Sequence, residues 1–203
     1  NDYLNLPDFE IGGDFSVSMW VRYESFNNWS RIIDFGNGAN NNNLIVANEG
    51  GGSRGYWGVR VGNAQKRVRP AGFWQTGTWI HAVGTATANG VLRMYKNGVE
   101  QASDMNAHAP STMTRTNHYV GKSNWANDAT FNGSLDDLRL YGTALDAAQV
   151  GQIYNGGNGE AGAGATDFFT TQSTQLPTVA VLDPSNVLGT SATLRGRLVD
   201  AGA

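Results

Sequence analysis

The stretch Val91-Leu92-Arg93-Met94-Tyr95-Lys96-Asn97-Gly98-Val99 decides the fold class. Asn-Gly between two alternating runs is the strongest short-range sign of a β-hairpin, because a two-residue turn needs φ > 0 at both central positions. An antiparallel pair therefore sits near the middle of the chain. Upstream, residues 15–23 place Phe15, Val17, Met19 and Val21 on one face against Ser16, Ser18, Trp20 and Arg22. That is the period of a strand with one buried face. Further short runs follow at 31–35, 44–48, 55–62, 79–87, 119–122 and 134–141, most bounded by Gly and Asn. In 55–62, Trp57, Val59 and Val61 alternate with Tyr56, Gly58 and Arg60. In 134–141, Leu138 and Leu140 share one face, and Leu135, Asp137 and Arg139 the other. Trp20 and Trp79, inside strands, read as core.

Composition agrees. Of 203 residues, 40% are hydrophobic and 10% aromatic, enough for a packed core, yet only 15% are charged. Soluble domains usually carry roughly 25% charged residues. The polar surface comes instead from 27 Gly and 21 Asn, which are turn formers. A protein of long helices is excluded. One short helix is expected after residue 145: Asp146 caps it with Gln149 three residues on, Leu145 staples onto Val150, Val150, Ile153 and Tyr154 form its apolar stripe, and Gly156 stops it. The fold class is all-β: a two-sheet antiparallel jelly-roll sandwich with one short C-terminal helix.

The sandwich is expected over 1–155. Residues 156–166 are almost only Gly, Ala, Asn and Glu and read as a linker. Residues 167–203 carry strand-like runs at 167–171, 178–182 and 192–199, too few to bury a core alone, and read as the opening of a further β domain. The sequence opens on Asn1 and so reads as a piece of a longer chain. A net charge of −3 leaves Lys66, Arg67 and Arg69 as the one basic cluster, read as a solvated loop, so nucleic acid is not an expected partner. No apolar run approaches the ~20 residues that span a bilayer. The absence of cysteine excludes disulfide scaffolds, thiolate metal sites and cysteine nucleophiles.

Six stretches, taken in order, resemble the laminin-G-like, concanavalin A-like domains: Phe-Ser-Val-Ser-Met-Trp-Val-Arg (15–22), Arg-Ile-Ile-Asp-Phe-Gly-Asn-Gly (31–38), Trp-Ile-His-Ala-Val-Gly (79–84), Leu-Arg-Met-Tyr-Lys-Asn-Gly (92–98), Tyr-Val-Gly-Lys-Ser-Asn (119–124) and Phe-Asn-Gly-Ser-Leu-Asp-Asp-Leu-Arg-Leu-Tyr (131–141). The resemblance covers residues 1 to about 155. The tail is similar to the first strands of bacterial fibronectin-III-like repeats. The resemblance implies a jelly roll that binds carbohydrate or protein ligands beside other domains of a large secreted bacterial protein. It also implies a structural Ca²⁺ between the N-terminal segment and the last strand, with Asp136 and Asp2 as ligands. Calcium takes six to eight oxygen ligands, so loop carbonyls near Gly36 would have to help, with Asp34 and Asp128 as further candidates.

Sugar faces stack on flat rings, while Asn, Asp and Arg bond the hydroxyls. Trp29, Trp57, Trp74 and Trp125 lie in or beside Asn/Gly-rich loops. Trp125 with Asn124 and Asp128 is the first candidate site for a glycan, and Trp57 with Arg60 the second. Catalysis is not expected. β-Glucan-cleaving relatives carry a Glu-x-Asp-x-x-Glu run, whereas here Glu10, Glu24, Glu49, Glu100 and Glu160 stand more than ten residues apart. His81, Arg93, Tyr95 and Arg60 supply the residue types of a lyase, with no spacing that joins them. His81 reads as a hydrogen-bonded sheet histidine. The expected function is a non-catalytic carbohydrate-binding module of an extracellular bacterial protein, held against a polysaccharide. The alternatives are an adhesion or spacer module and, third, an enzyme.

Overall fold

The computed structural model describes residues 3–156 and 191–194. Its strands, in chain order, are β1 (Leu4–Leu6), β2 (Phe9–Ile11), β3 (Phe15–Ser25), β4 (Arg31–Gly36), β5 (Leu44–Asn48), β6 (Gly55–Val61), β7 (Ala64–Val68), β8 (Ile80–Ala86), β9 (Leu92–Lys96), β10 (Val99–Asp104), β11 (Met113–Arg115), β12 (Asn117–Val120), β13 (Asn132–Tyr141) and β14 (Ser191–Leu194). The helix α1 (Ala147–Gly156) lies between β13 and β14. Two six-stranded antiparallel sheets face each other: β1-β12-β4-β5-β6-β7 forms the first and β10-β9-β8-β3-β13-β14 the second. β2 and β11 make a separate pair. This is the concanavalin A-like sandwich expected from the sequence.

Alternation builds the core. Phe15, Val17, Met19, Val21 and Tyr23 of β3 meet Ile33, Phe35, Leu44, Val46, Trp57 and Val59 of the first sheet, all within one buried cluster. Each such burial removes about 1.5–3 kcal/mol of apolar exposure. The hairpin forms as expected, with Asn97 and Gly98 at φ 50° and 82°. Asn97 also ties the turn to β8: its side-chain oxygen accepts from the His81 N–H, 2.9 Å away.

Three expectations about facing are corrected. Trp57 is wholly buried: it pairs with Val46 on the core face, its indole N–H donates to the Thr85 carbonyl at 2.9 Å, and the bare Gly84 makes room for its ring. Trp20 and Trp79 are not core. Trp20 alternates with Met19 and Val21, so it faces outward beneath Tyr154 of α1. Trp79, just before β8, is 42% exposed. In β13, Leu135 and Leu138 both reach the core, because the ladder with β3 is irregular between Asp136 and Arg139 and Asp137 takes a left-handed φ of 52°. A bulge resets the alternation, so strict period 2 misassigns the faces.

The helix forms as its cap predicts. Asp146 and Gln149 bond reciprocally at 2.8 and 2.9 Å. Leu145, Val150 and Ile153 pack on Val83 and Tyr95, covering part of the outer face of the second sheet. Of the tail, Ser191–Leu194 pairs antiparallel with Leu138–Tyr141 and extends that sheet. The expected linker beyond Gly156 and the strand-like runs at 167–171 and 178–182 lie outside the described residues, as does most of 192–199.

Candidate functional site on the outer face of the first sheet

Among the described residues no helix covers the outer face of the first sheet. Register places Asp34, Ile45, Ala47, Tyr56, Gly58, Arg60, Gln65 and Arg67 on it. Ile45, Ala47 and Tyr56 form a small apolar cluster, roofed by the half-buried rings of Trp29 and Trp125. Trp29 stands edge-on to Tyr56, with centroids 5.5 Å apart, on a turn where it holds φ 54°. A bulky residue there stores strain, and such strain gathers at functional sites. Tyr56 lies flat over Gly58, where a Cβ would come within 2.6 Å of the ring.

Arg31 is the member that sequence reasoning missed. With strict alternation it would share the core face with Ile33 and Phe35. The ladder between β4 and β5 is irregular between Arg31 and Ile33, which returns Arg31 to the outer face opposite Ala47. Its guanidinium lies 5.3 Å from the Trp29 ring centre and 5.4 Å from that of Trp125. It bonds Asp128 at 2.8 Å. Trp125 takes a second cation, Arg60, at 5.3 Å. Such cation–π contacts contribute about 0.5–2 kcal/mol and fix the orientation of the guanidinium.

The loop carrying Trp125 is pinned from beneath. Asp34 is fully buried under it and accepts from the Asn124 N–H at 2.9 Å and from the Asn43 amide at 2.8 Å. Burial pushes the Asp34 carboxyl above its usual range, against the lowering pull of Asn124, Asn43 and Arg31. Asn124 also receives a bond from Asn117. Within the loop, Ser123 donates to Asp128 at 2.8 Å and accepts from the Trp125 N–H at 3.0 Å.

The structure thus brings together Trp125, Asn124, Asp128 and Arg60. It removes Trp57, whose ring has no exposed face to offer a sugar. Asp136 lies on the other sheet, exposed and in register with Trp20, while Asp2 lies outside the described residues. Next to Asp136, Asp137 turns inward and bonds Arg139 at 2.7 Å. Asp34 accepts from Asn43 on Oδ1 and from Asn124 on Oδ2, and Asp128 meets both Ser123 and Arg31 through Oδ2. Among the described residues no group of three or more His, Cys, Asp or Glu is placed to hold a metal. Calcium needs several oxygens at one point, and one half of the expected pair, Asp2, lies outside the described residues.

The lyase residue types are split between layers. Arg93 and Tyr95 stand opposite Thr85 and Val83 on the second sheet, which also carries His81, whereas Arg60 belongs to the first. His81 bonds Ser18 at 2.9 Å, and burial pushes its ring down to about 4. Both carboxylates of the Trp125 site bear on Arg31, at 3.9 Å from Asp34 and 2.8 Å from Asp128. Neither stands as a free acid or nucleophile across a groove.

A family model described as the concanavalin A-like lectin/glucanases superfamily matches residues 1–151. The chain belongs to this superfamily. No curated protein sequence resembles it closely enough to count as a match. Domain 4 of AbnA, an extracellular arabinanase from Geobacillus stearothermophilus solved with arabinotriose, is similar at 27% identity and a TM-score of 0.60, over 75% of this chain and 72% of that one. The CBM40 of the Ruminococcus gnavus IT-sialidase, bound to α2,3-sialyllactose, shares the fold at 12% identity and a TM-score of 0.60, over 76% and 97%. A SAP-like pentraxin from Limulus polyphemus shares it at 18% and 0.58, over 74% and 72%. The superfamily member described here has the fold of lectin-like binding domains. No helix among its described residues is long and apolar enough to cross a membrane.

Proposed function

We propose that this domain is a non-catalytic carbohydrate-binding module of a large secreted or surface bacterial protein, and that it holds its parent against a polysaccharide. The observation that carries this reading is the Trp29–Trp125 roof on a sheet face that no other described element covers, ringed by Arg60, Asn124 and Asp128. Rings supply the apolar surface that sugar faces need, and the surrounding amides and guanidiniums supply directional bonds to hydroxyls. The arabinotriose complex of the AbnA domain supports the same reading. So does the commitment of the site's two carboxylates to Arg31, which leaves no acid–nucleophile pair. An extracellular location follows from this role.

Affinity electrophoresis against soluble plant and algal polysaccharides tests it. At least one polymer should retard the domain, and Trp125→Ala should abolish the retardation with the circular dichroism spectrum unchanged. If no polymer retards the domain, the reading fails and a protein-adhesion or spacer role takes its place.

A further inference from the structure

The Trp125 site carries more positive charge than its neighbours neutralise. Arg31, Arg60 and Arg67 lie on the outer face of the first sheet, and Lys122 sits 4.8 Å over the ring of Tyr119, which register places on that face beside Asp34. Two carboxylates answer these four cations: Asp128 bonds Arg31, and the buried Asp34 lies 3.9 Å from Arg31 and also draws on Arg60 from a distance. Among the described residues Arg60 and Arg67 have no carboxylate partner. The chain as a whole is net negative, at −3, so this local excess is not a general property of the surface.

The two guanidiniums are also held together. Arg60 donates to Gln65 Oε1 at 3.2 Å and Arg67 donates to the same oxygen at 3.1 Å. One neutral acceptor thus anchors two cations. Gln65 is fixed in turn, because its amide nitrogen donates to the Tyr56 hydroxyl. Arg60 is further braced on Trp125 and bonded to the Asn63 carbonyl at 2.8 Å. Like charges held side by side raise each other's energy: burial first, then the charges of Arg31 and Arg67, pull the Arg60 guanidinium below its ordinary range, against the opposing pull of Tyr56 and Asp34. A pre-oriented pair of guanidiniums with no bonded carboxylate among the described residues is a receptor for a planar or tetrahedral anion.

We infer that the Arg60–Gln65–Arg67 fork beside Trp125 binds the anionic group of an acidic polysaccharide, a uronate carboxylate or a sulfate ester. The inference rests on the carbohydrate-binding reading and narrows it to a ligand class. Trp125 contacts the sugar ring next to the charged unit. The fork supplies the selection, since a neutral glycan can offer the two guanidiniums only hydroxyls and leaves their charge unanswered.

Affinity electrophoresis on matched polymers tests the inference: polygalacturonate against its carboxyl-reduced form, and dextran sulfate against dextran, each at low salt and at raised NaCl. The domain should be retarded by at least one acidic polymer, not by its neutral counterpart, and less so as salt screens the contact. The polymer that retards it identifies carboxylate or sulfate as the group. Arg67→Gln, at an exposed residue that bonds Gln65, should weaken binding roughly tenfold, as expected for a lost charge-assisted bond. Arg60→Gln should do the same, and Arg60→Lys, which keeps charge without the fork, should recover it only in part. Equal retardation by a neutral counterpart, or unchanged binding in Arg67→Gln and Arg60→Gln, overturns the inference. Retardation by neutral polymers alone overturns it while leaving the binding module standing. Retardation by no acidic or neutral polymer ends both.

Discussion

The two sheets carry their outer faces differently. On the second sheet, Val83 and Tyr95 are capped by Leu145, Val150 and Ile153 around the helix, and the face becomes a second small core. On the first sheet, Ile45, Ala47 and Tyr56 have no helix over them among the described residues. Two half-buried indoles and stacked guanidiniums cover them instead. A helix closes its face with saturated apolar packing. Aromatic rings and cations close theirs while keeping polar atoms at the surface. The contrast teaches where to look for a ligand: at the cover built from groups that can also bond something else.

The sharpest way to break this contrast is to damage the interior of each region. Val150→Asp would bury an unpaired carboxylate beneath the helix and should cost about 3–5 kcal/mol, read from urea unfolding. Trp57→Ala should cost a similar ~3–5 kcal/mol through the cavity it leaves. Either variant should lose glycan binding only in step with its fold. Were Trp57→Ala to remain stable and lose binding, the assignment of that ring to the core would be wrong.

A second test acts on both layers at once through pH. His81 lies on the second sheet, and His118 stands on β12 of the first, packed against Phe9 and Phe35. Burial pushes both rings down to about 4. The unfolded chain takes up protons near pH 6.5, before the folded one does. The stability contributed by the neutral rings is therefore complete above pH 6.5 and is lost as pH falls to about 4. Each ring is worth on the order of 3 kcal/mol across that window. His118→Gln should remove about half of this acid sensitivity in a denaturation series, and an unaltered pH slope would refute it.

Smaller effects sharpen the site itself. Asp34→Asn swaps an acceptor for a donor facing the Asn124 N–H or the Asn43 amide, and should cost about 1–3 kcal/mol while loosening the Trp125 loop. Trp125→Ala should cost only about 1 kcal/mol, because the ring is half-exposed, yet it should abolish retardation on the gel. The smallest effect concerns calcium. EDTA should leave the melting midpoint where it was, since the described donors do not assemble a site. A midpoint raised by Ca²⁺ and returned by Asp136→Asn would restore the metal that the family resemblance suggested.

Much of the sandwich was legible in sequence because its signals are local. The Asn97-Gly98 turn, the alternation of 15–23 and the Asp146/Gln149 cap each act within a few residues, and each forms as read. Trp125, Asn124 and Asp128 were legible as a polar loop with one ring. Arg31 was not, because its side of β4 depends on a bulge that strict alternation does not anticipate. The same blindness put Leu135 on the wrong face of β13. Trp57 was misread for another reason. Glycines flanking its strand suggested a ring beside a loop, whereas Gly84 lies across the sandwich and serves as its socket. Nothing within a few residues of Trp57 encodes that distant partner.

That socket has an evolutionary consequence. A Cβ on Gly84 would come within 2.7 Å of the Trp57 indole, so the two positions divide one fixed volume between them. Neither can drift alone: Gly84→Ala should be rejected beside tryptophan and tolerated beside a smaller ring. Read across a lineage, positions 57 and 84 should covary as a reciprocal pair, large against small. They would mark descent of the scaffold independently of whatever its open face has come to bind.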